Sequence, residues 1–206
     1  MIHARDEGPE MTWARARPGL LRSGRTTAVF DVEVTGHAHE NPGEHEEGVP
    51  LAHSTMTFVR IQRPDATTDL EHPAEQNEET KVDFGLPGSG LRRGFAADLG
   101  IEIADAAEGR VRLEAGEFCA NSFGSLQGGV VAALAESSAT AARKARTGCS
   151  AVARDLAVHY LAQGRGPYRT EAAPLRITRD HDLYRVRIID EAKGTIMATA
   201  TVTSVG

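Results

Sequence analysis

The residues best suited to chemistry lie between Asn121 and Arg146, in NSFGSLQGGVVAALAESSATAARKAR. Gly124 and the pair Gly128-Gly129 form a glycine-rich loop that runs directly into an alanine-rich helical pattern. Adjacent glycines let another group approach the backbone closely and leave amide N–H groups accessible. Where such a loop opens a helix, unsatisfied N–H groups and aligned peptide dipoles favour negative charge. Val130 to Ala135 are small or apolar nearly all round, the pattern of a buried helix packed closely on something flat. Glu136 sits inside that run. A carboxylate taken out of water must be paired, hydrogen-bonded or protonated, and such a group is a candidate acid, base or nucleophile. Taken singly, each feature has a structural reading: a Gly-Gly pair is a common tight turn, and Ser137, Ser138 and Thr140 can mark a face returning to water. Their combination, ahead of a run of strands, favours a functional site.

The elements that must hold this stretch follow from periodicity. A helix is expected from about Gly128 to Arg146, with Lys144 and Arg146 suited to its C-terminus and Gly148 to its cap. Two short strands precede it, 101–104 and 110–115, split by a turn at Glu108-Gly109. Before them GLPGSGLRRGFAADLG carries turn signals and room for one helical turn. Strands over 152–161, 168–177, 183–189 and 195–205 follow. This order predicts an α+β fold in which one curved antiparallel sheet covers a single helix.

Residues 13–61 read as β throughout, with alternating runs in AVFDVEV and LAHSTMTFVRI. Between those runs, GHAHENPGEHEEG is polar and turn-rich. Its His37, His39 and His45 beside Glu40, Glu44, Glu46 and Glu47 match no closed zinc spacing, and the segment reads as a solvated loop. Residues 62–82 are acidic, almost without large apolar side chains, and read as a linker. The first eleven residues read as a frayed polar terminus. An internal half-repeat is also visible: ARARPGLLRSGRTTAVFDVEV…GVPLAHSTMTFVRI parallels TEAAPLRITRDHDLYRVRIID…KGTIMATATVTSV. Pro18 aligns with Pro174, Ala52 with Ala198, and Thr55 and Thr57 with Thr201 and Thr203. The N-terminal strands thus repeat the end of the C-terminal module without its helix. They are expected to extend or flank the sheet of that module, in the same chain or in a partner's.

A net charge of −6 and a pI near 5.8, with no basic stripe, argue against a nucleic-acid surface. No apolar run has the length of a membrane span, and MIHARDEGPE lacks the apolar core of a signal peptide. Cys119 and Cys149 are too few for a disulfide framework or a zinc ribbon, so a cytoplasmic location is the expectation. Cys119 has no histidine partner at a recognisable spacing and reads as a small buried residue; Trp13 and His159 read as packing or surface residues.

The spacing Asn121–x5–Gln127-Gly128-Gly129–x6–Glu136, the strand DLAVHYL and the terminal ATATVT together resemble the hotdog-fold acyl-CoA thioesterases of the PaaI type. The resemblance covers residues 83–206 as a complete hotdog domain and, more faintly, residues 1–61 as strands of a partial module. It implies an antiparallel sheet wrapped round the central helix, an acyl-CoA substrate, no cofactor or metal, and a homodimer or higher oligomer. It further implies that the Gly128 N–H binds the thioester oxygen, that Glu136 is the nucleophile or the general base, and that Asn121 orients the carbonyl or the attacking water. Thr140 matches an assisting position, and Gly129 a substrate-contacting one. Family members usually carry histidine where this chain has Gln127, which cannot become charged near neutral pH. Arg165 and Arg169 are candidates to meet coenzyme A phosphates. A non-catalytic acyl-CoA-binding protein of the same fold is the alternative; a dehydratase would want an imidazole at Gln127.

Gly128 and Glu136 are eight positions apart in sequence. On one helix that separates them by ~12 Å, whereas reacting atoms meet at ~3–3.5 Å. A single helix therefore cannot present both to one carbonyl carbon. The expectation is a homodimer in which the glycine end of one helix faces the glutamate of another.

Overall fold

The computed structural model describes residues 13–38, 47–59, 95–114, 116, 119–121 and 124–206. The expected linker, most of the histidine-rich insertion and the first eleven residues lie outside these. The chain divides into two compact units, Met1–Glu79 and Thr80–Gly206.

The C-terminal unit contains α1 (Phe95–Asp98), β4 (Glu102–Asp105), β5 (Arg110–Leu113), α2 (Gly128–Thr147), β6 (Val152–Tyr160), β7 (Tyr168–Ile177), β8 (His181–Asp190) and β9 (Thr195–Val205). Its six strands form one antiparallel sheet in the order β4-β5-β7-β8-β9-β6. The one long helix among the described residues, α2, packs on one face of this sheet. Val130, Val131, Leu134, Ala135, Ala139 and Ala142 of α2 meet Val111, Leu113, Val186, Ile188, Ala200 and Val202 in one core. The alternation of β8 and β9 places those residues inward and their arginines and threonines outward. The alanines on α2 matter here because a short side chain lets the helix axis lie close to the sheet.

Two devices fix the helix lengthwise. At its C-terminus Gly148 adopts φ 72°, and its N–H closes on the Lys144 carbonyl at 2.8 Å. At mid-length the buried Ser138 hydroxyl donates to the Gly109 carbonyl, which also accepts from Thr170 Oγ1 at 3.0 Å. Gly109 lies at φ 56° in the β4–β5 turn, and a Cβ there would sit 2.5 Å from Ala172 Cβ and 2.8 Å from the Ser138 carbonyl oxygen. Gly109→Ala combines backbone strain with a clash against α2. We expect it to cost at least ~2 kcal/mol, read as a lowered midpoint in urea; an unchanged midpoint would show that the turn relaxes freely.

One charged cluster lies deep in this unit. Arg143 is 1% exposed and Asp182 is fully buried. Arg143 Nη1 stands 3.1 Å from Asp182 Oδ1 as an ion pair without hydrogen-bond geometry, while its Nη2 donates to the carbonyls of Asp180 and Gly206 at 3.1 Å each. Arg146 donates to Asp182 Oδ2 at 2.6 Å through Nη2, and Tyr184 Oη donates to the same oxygen at 3.2 Å. Burial pushes the Asp182 carboxyl upward, but the Arg146 hydrogen bond, the Thr178 N–H and both guanidinium charges outweigh it and hold the carboxyl below its ordinary range.

The N-terminal unit is an antiparallel sheet of β1 (Trp13–Ser23), β2 (Thr27–His37) and β3 (Val49–Val59) in that order. Its ladder reproduces that of β7, β8 and β9. Leu20 pairs with Phe30, Leu21 is bulged out, and Arg22 pairs with Val29; likewise Pro174 pairs with Tyr184, Leu175 is bulged out, and Arg176 pairs with Leu183. A second bulge skips Leu51 between Ala52 and Pro50, and its counterpart skips Met197 between Ala198 and Ile196. The expected matches of Ala52, Thr55 and Thr57 with Ala198, Thr201 and Thr203 hold. The match of Pro18 with Pro174 does not: register sets Leu20 against Pro174 and Pro18 against Ala172. Aligning the prolines slips β1 by two residues, which keeps the inward face and so leaves the alternation pattern undisturbed.

Of the described part of the histidine-rich insertion, His37 is 4% exposed, its Nε2 2.9 Å from Thr35 Oγ1. No helix among the described residues is long and apolar enough to cross a membrane.

Candidate functional site

The loop that opens α2 is built by its own polar groups. Asn121 N–H donates to the Ser125 carbonyl at 2.7 Å, Ser125 N–H donates to Asn121 Oδ1 at 3.1 Å, and Gly124 N–H donates to the Asn121 carbonyl at 2.9 Å with Gly124 at φ 68°. Gln127 N–H then closes on the Cys119 carbonyl at 2.8 Å. The Gln127 carbonyl accepts from Val130 and Val131 at 3.0 and 3.1 Å. Among the described residues the N–H groups of Gly128 and Gly129 have no acceptor, and Gln127 provides no side-chain cap. Two donors therefore remain open at the positive end of a helix twenty residues long.

Tyr160, at the end of β6, braces this corner. Its hydroxyl donates to the Gly128 carbonyl at 3.0 Å, and a Cβ on residue 128 would lie 3.1 Å from that hydroxyl. Partial desolvation raises its phenol above the ordinary value. Sequence reading passed over Tyr160. The signal was its place in DLAVHYL, but only the sheet order brings β6 beside the helix start.

Glu136 is exposed, contrary to the sequence reading of a carboxylate enclosed in an apolar run. Alanines all round a helix do not tell which side is covered, and one sheet covers one side. The opposite side of α2 carries Gly129, Ala132, Ala133, Glu136 and Thr140, each exposed or partly so. No acceptor or donor engages the Glu136 carboxylate among the described residues. Thr140 Oγ1 turns back to the Glu136 carbonyl at 2.8 Å and the Ser137 carbonyl at 3.3 Å, so its proton is held by the helix backbone. Asn121 likewise commits Oδ1 to its loop. Gln127 is exposed beside the open N–H groups.

Of the arginine candidates, Arg165 is exposed in the β6–β7 connection, its N–H donating to Asp190 Oδ2 at 2.9 Å. Arg169 is tied to Glu171, and Arg112 forks onto both Glu191 oxygens at 3.2 and 3.1 Å. Arg169, Arg112 and Arg110, but not Arg165, border a shallow hollow of about 500 Å³ together with Ala104, Glu171 and Glu191. Cys119 is buried, with Sγ 3.9 Å from the Leu99 carbonyl, as a packing residue should be.

No protein-family model matches the sequence, and no curated protein matches it. Solved structures do. AziG from S. sahachiroi superposes with a TM-score of 0.50 at 23% identity, covering 56% of this chain and 98% of that one. The fold is a hotdog. The E. coli PaaI protein from the phenylacetic acid degradation operon has a TM-score of 0.48 at 22% identity, covering 53% of this chain and 81% of that one. A thioesterase from Haemophilus influenzae has 0.49 at 25%, covering 53% and 80%. Among the described residues, this hotdog's helix presents an N-terminus with two unbonded N–H groups and an exposed or partly exposed stripe of small residues that ends at a carboxylate and a threonine.

Proposed function

We propose that the protein hydrolyses an acyl-CoA thioester at a site shared between two copies of the chain. The observation that carries this reading is the pair of open N–H groups at Gly128 and Gly129, on a helix whose outward stripe also bears Glu136. A thioester oxygen that gains negative charge in the transition state is stabilised by such donors. Glu136 of a second, antiparallel α2 supplies either the attacking carboxylate or the base that activates water. Small residues at Gly129, Ala132 and Ala133 allow the second helix to come close. Water enters at the acyl carbon, the carbon–sulfur bond breaks, and the acid and the thiol leave. Gln127 serves by hydrogen bonding alone, and Arg165 meets the phosphates of the carrier.

A second reading, an acyl-CoA-binding protein without turnover, is favoured by the Asn121 side-chain oxygen, which is engaged in its own loop. Thiol release from a panel of short, long and aromatic acyl-CoAs separates the two. Turnover of at least one member is expected; binding in equilibrium dialysis with no release from any of them would select the second reading.

Gly128→Pro probes the oxyanion donor. Proline is accepted at the first helical position, and Gln127 already has the φ −66°, ψ 141° that a residue before proline adopts. The change removes the N–H and adds a Cβ 3.1 Å from the Tyr160 hydroxyl, so the Tyr160 side chain must shift by a few tenths of an ångström. We expect kcat to fall roughly 10²–10³-fold with helix content by circular dichroism intact; full activity in the folded variant would place the oxyanion elsewhere.

A further inference from the structure

The register shared by the two sheets gives one face of β1–β2–β3 a meaning. Val32, Phe30 and Met56 occupy the ladder positions of Val186, Tyr184 and Val202, all three in the core beneath α2. The N-terminal sheet is therefore built with a packing face, yet no helix accompanies it among the described residues of its unit. Leu20 is 58%, Met56 39% and Phe58 54% exposed there, with Phe58 edge-on to Phe30 at 5.8 Å between ring centroids. The opposite face is polar: it carries Arg15, Arg17, Glu33 and the Asp31–His53 pair at 2.8 Å.

We infer that this apolar face is an interface with the same face of a second copy, the two sheets stacking as a sandwich. Charge allows it. None of the residues in register on the apolar face is ionisable, so two identical copies meet without like-charge repulsion. Area allows it as well. Three strands of eleven residues each make a face of roughly 500 Å² at ~3.3 Å per residue and ~4.8 Å between strands. Two such faces bury about 1,000 Å², the lower bound for a specific association. An exposed apolar patch of this size calls for a partner. This contact is separate from the α2 pairing proposed above, which uses the other unit.

The test measures the mass of the full-length protein by light scattering across concentration, for the wild type and for Phe58→Asp and Leu20→Asp. Each variant places a charge on the same face from a different strand. The expected result is a halving of the mass for both at a concentration where the wild type is assembled, with Thr55→Asp, on the polar face, keeping the wild-type mass. Hydroxyl-radical labelling of the wild type is the second measurement: Met56 and Phe58 gain label on dilution while the labelling of Trp13, on the opposite face, stays constant. Unchanged mass in folded variants, or labelling of Met56 independent of concentration, overturns the inference. So does protection of Met56 by some other protein while the chain itself stays unassociated. Since the α2 pairing is untouched by these variants, thiol release that persists as the mass halves keeps the two interfaces distinct.

Discussion

Glu136→Gln is expected to lower thiol release by roughly 10²–10⁴-fold, the range over which positioned acid–base groups act. It should leave the melting temperature unchanged, because the carboxylate is exposed and engages no group among the described residues. That pairing of effects, chemistry lost and fold kept, distinguishes a working carboxylate from a packing one. The shared site adds a sharper test. Gly128→Pro and Glu136→Gln chains, each inactive alone, are mixed, unfolded and refolded together. In a two-fold dimer each mixed pair contains one site with both defects and one with neither, so about a quarter of wild-type activity returns at statistical mixing. Recovery at that level requires the donor and the carboxylate to come from different chains. No recovery, with mixed dimers demonstrated by mass, would sink the two-chain site.

Asp182→Ala is expected to destabilise the C-terminal unit by about 3–5 kcal/mol. The lost side chain would leave Arg143, 1% exposed, without the carboxylate it faces among the described residues. The melting temperature should drop by on the order of 10 °C. The pH response carries a definite sign. Asp182 is held below its ordinary range when folded, so its contribution is present above the ordinary aspartate range and is lost as pH falls through the folded value. The wild type should therefore weaken below about pH 4, and the variant should show a shallower acid slope. Equal acid slopes in the two proteins would mean that Asp182 does not titrate with unfolding. Asp190 adds in the same direction: burial raises it, and the N–H groups of Arg165, Lys193 and Gly166 more than reverse that. The slope left in the variant belongs in part to it.

Local signals in the chain translated well into structure. The helix runs from Gly128 and ends at Gly148 in the left-handed conformation, as glycine placement and the basic last turn indicated. Strands β7 and β9 begin and end where apolar alternation and turn residues put them. Long-range properties did not. The placement of β6 at the far edge, beside β9 rather than beside the strand that follows it, depends on the whole sheet and leaves no trace in DLAVHYL. Burial of Arg143 depends on Asp182, a residue from another element, and near Lys144 and Arg146 it reads like one more surface cation. The exposure of Glu136 was missed for a related reason: alanine is at home on either side of a helix, so periodicity gave no direction. For the site, the residue types and their order along α2 were legible, whereas Tyr160 and the engagement of Asn121 and Thr140 with nearby backbone were not.

The paired bulges bear on which insertions and deletions the chain can tolerate. Leu21 and Leu51 in one sheet, and Leu175 and Met197 in the other, are the extra, unpaired residues of their ladders. Deleting any one of them leaves every other pair of its ladder in register, whereas deleting a paired residue slips the strand beyond it by a single position and turns its core side chains to solvent. A library of one-residue deletions should accordingly be depleted at the paired positions of the strands and at the buried Met197, and populated at the exposed bulge residues Leu21, Leu51 and Leu175.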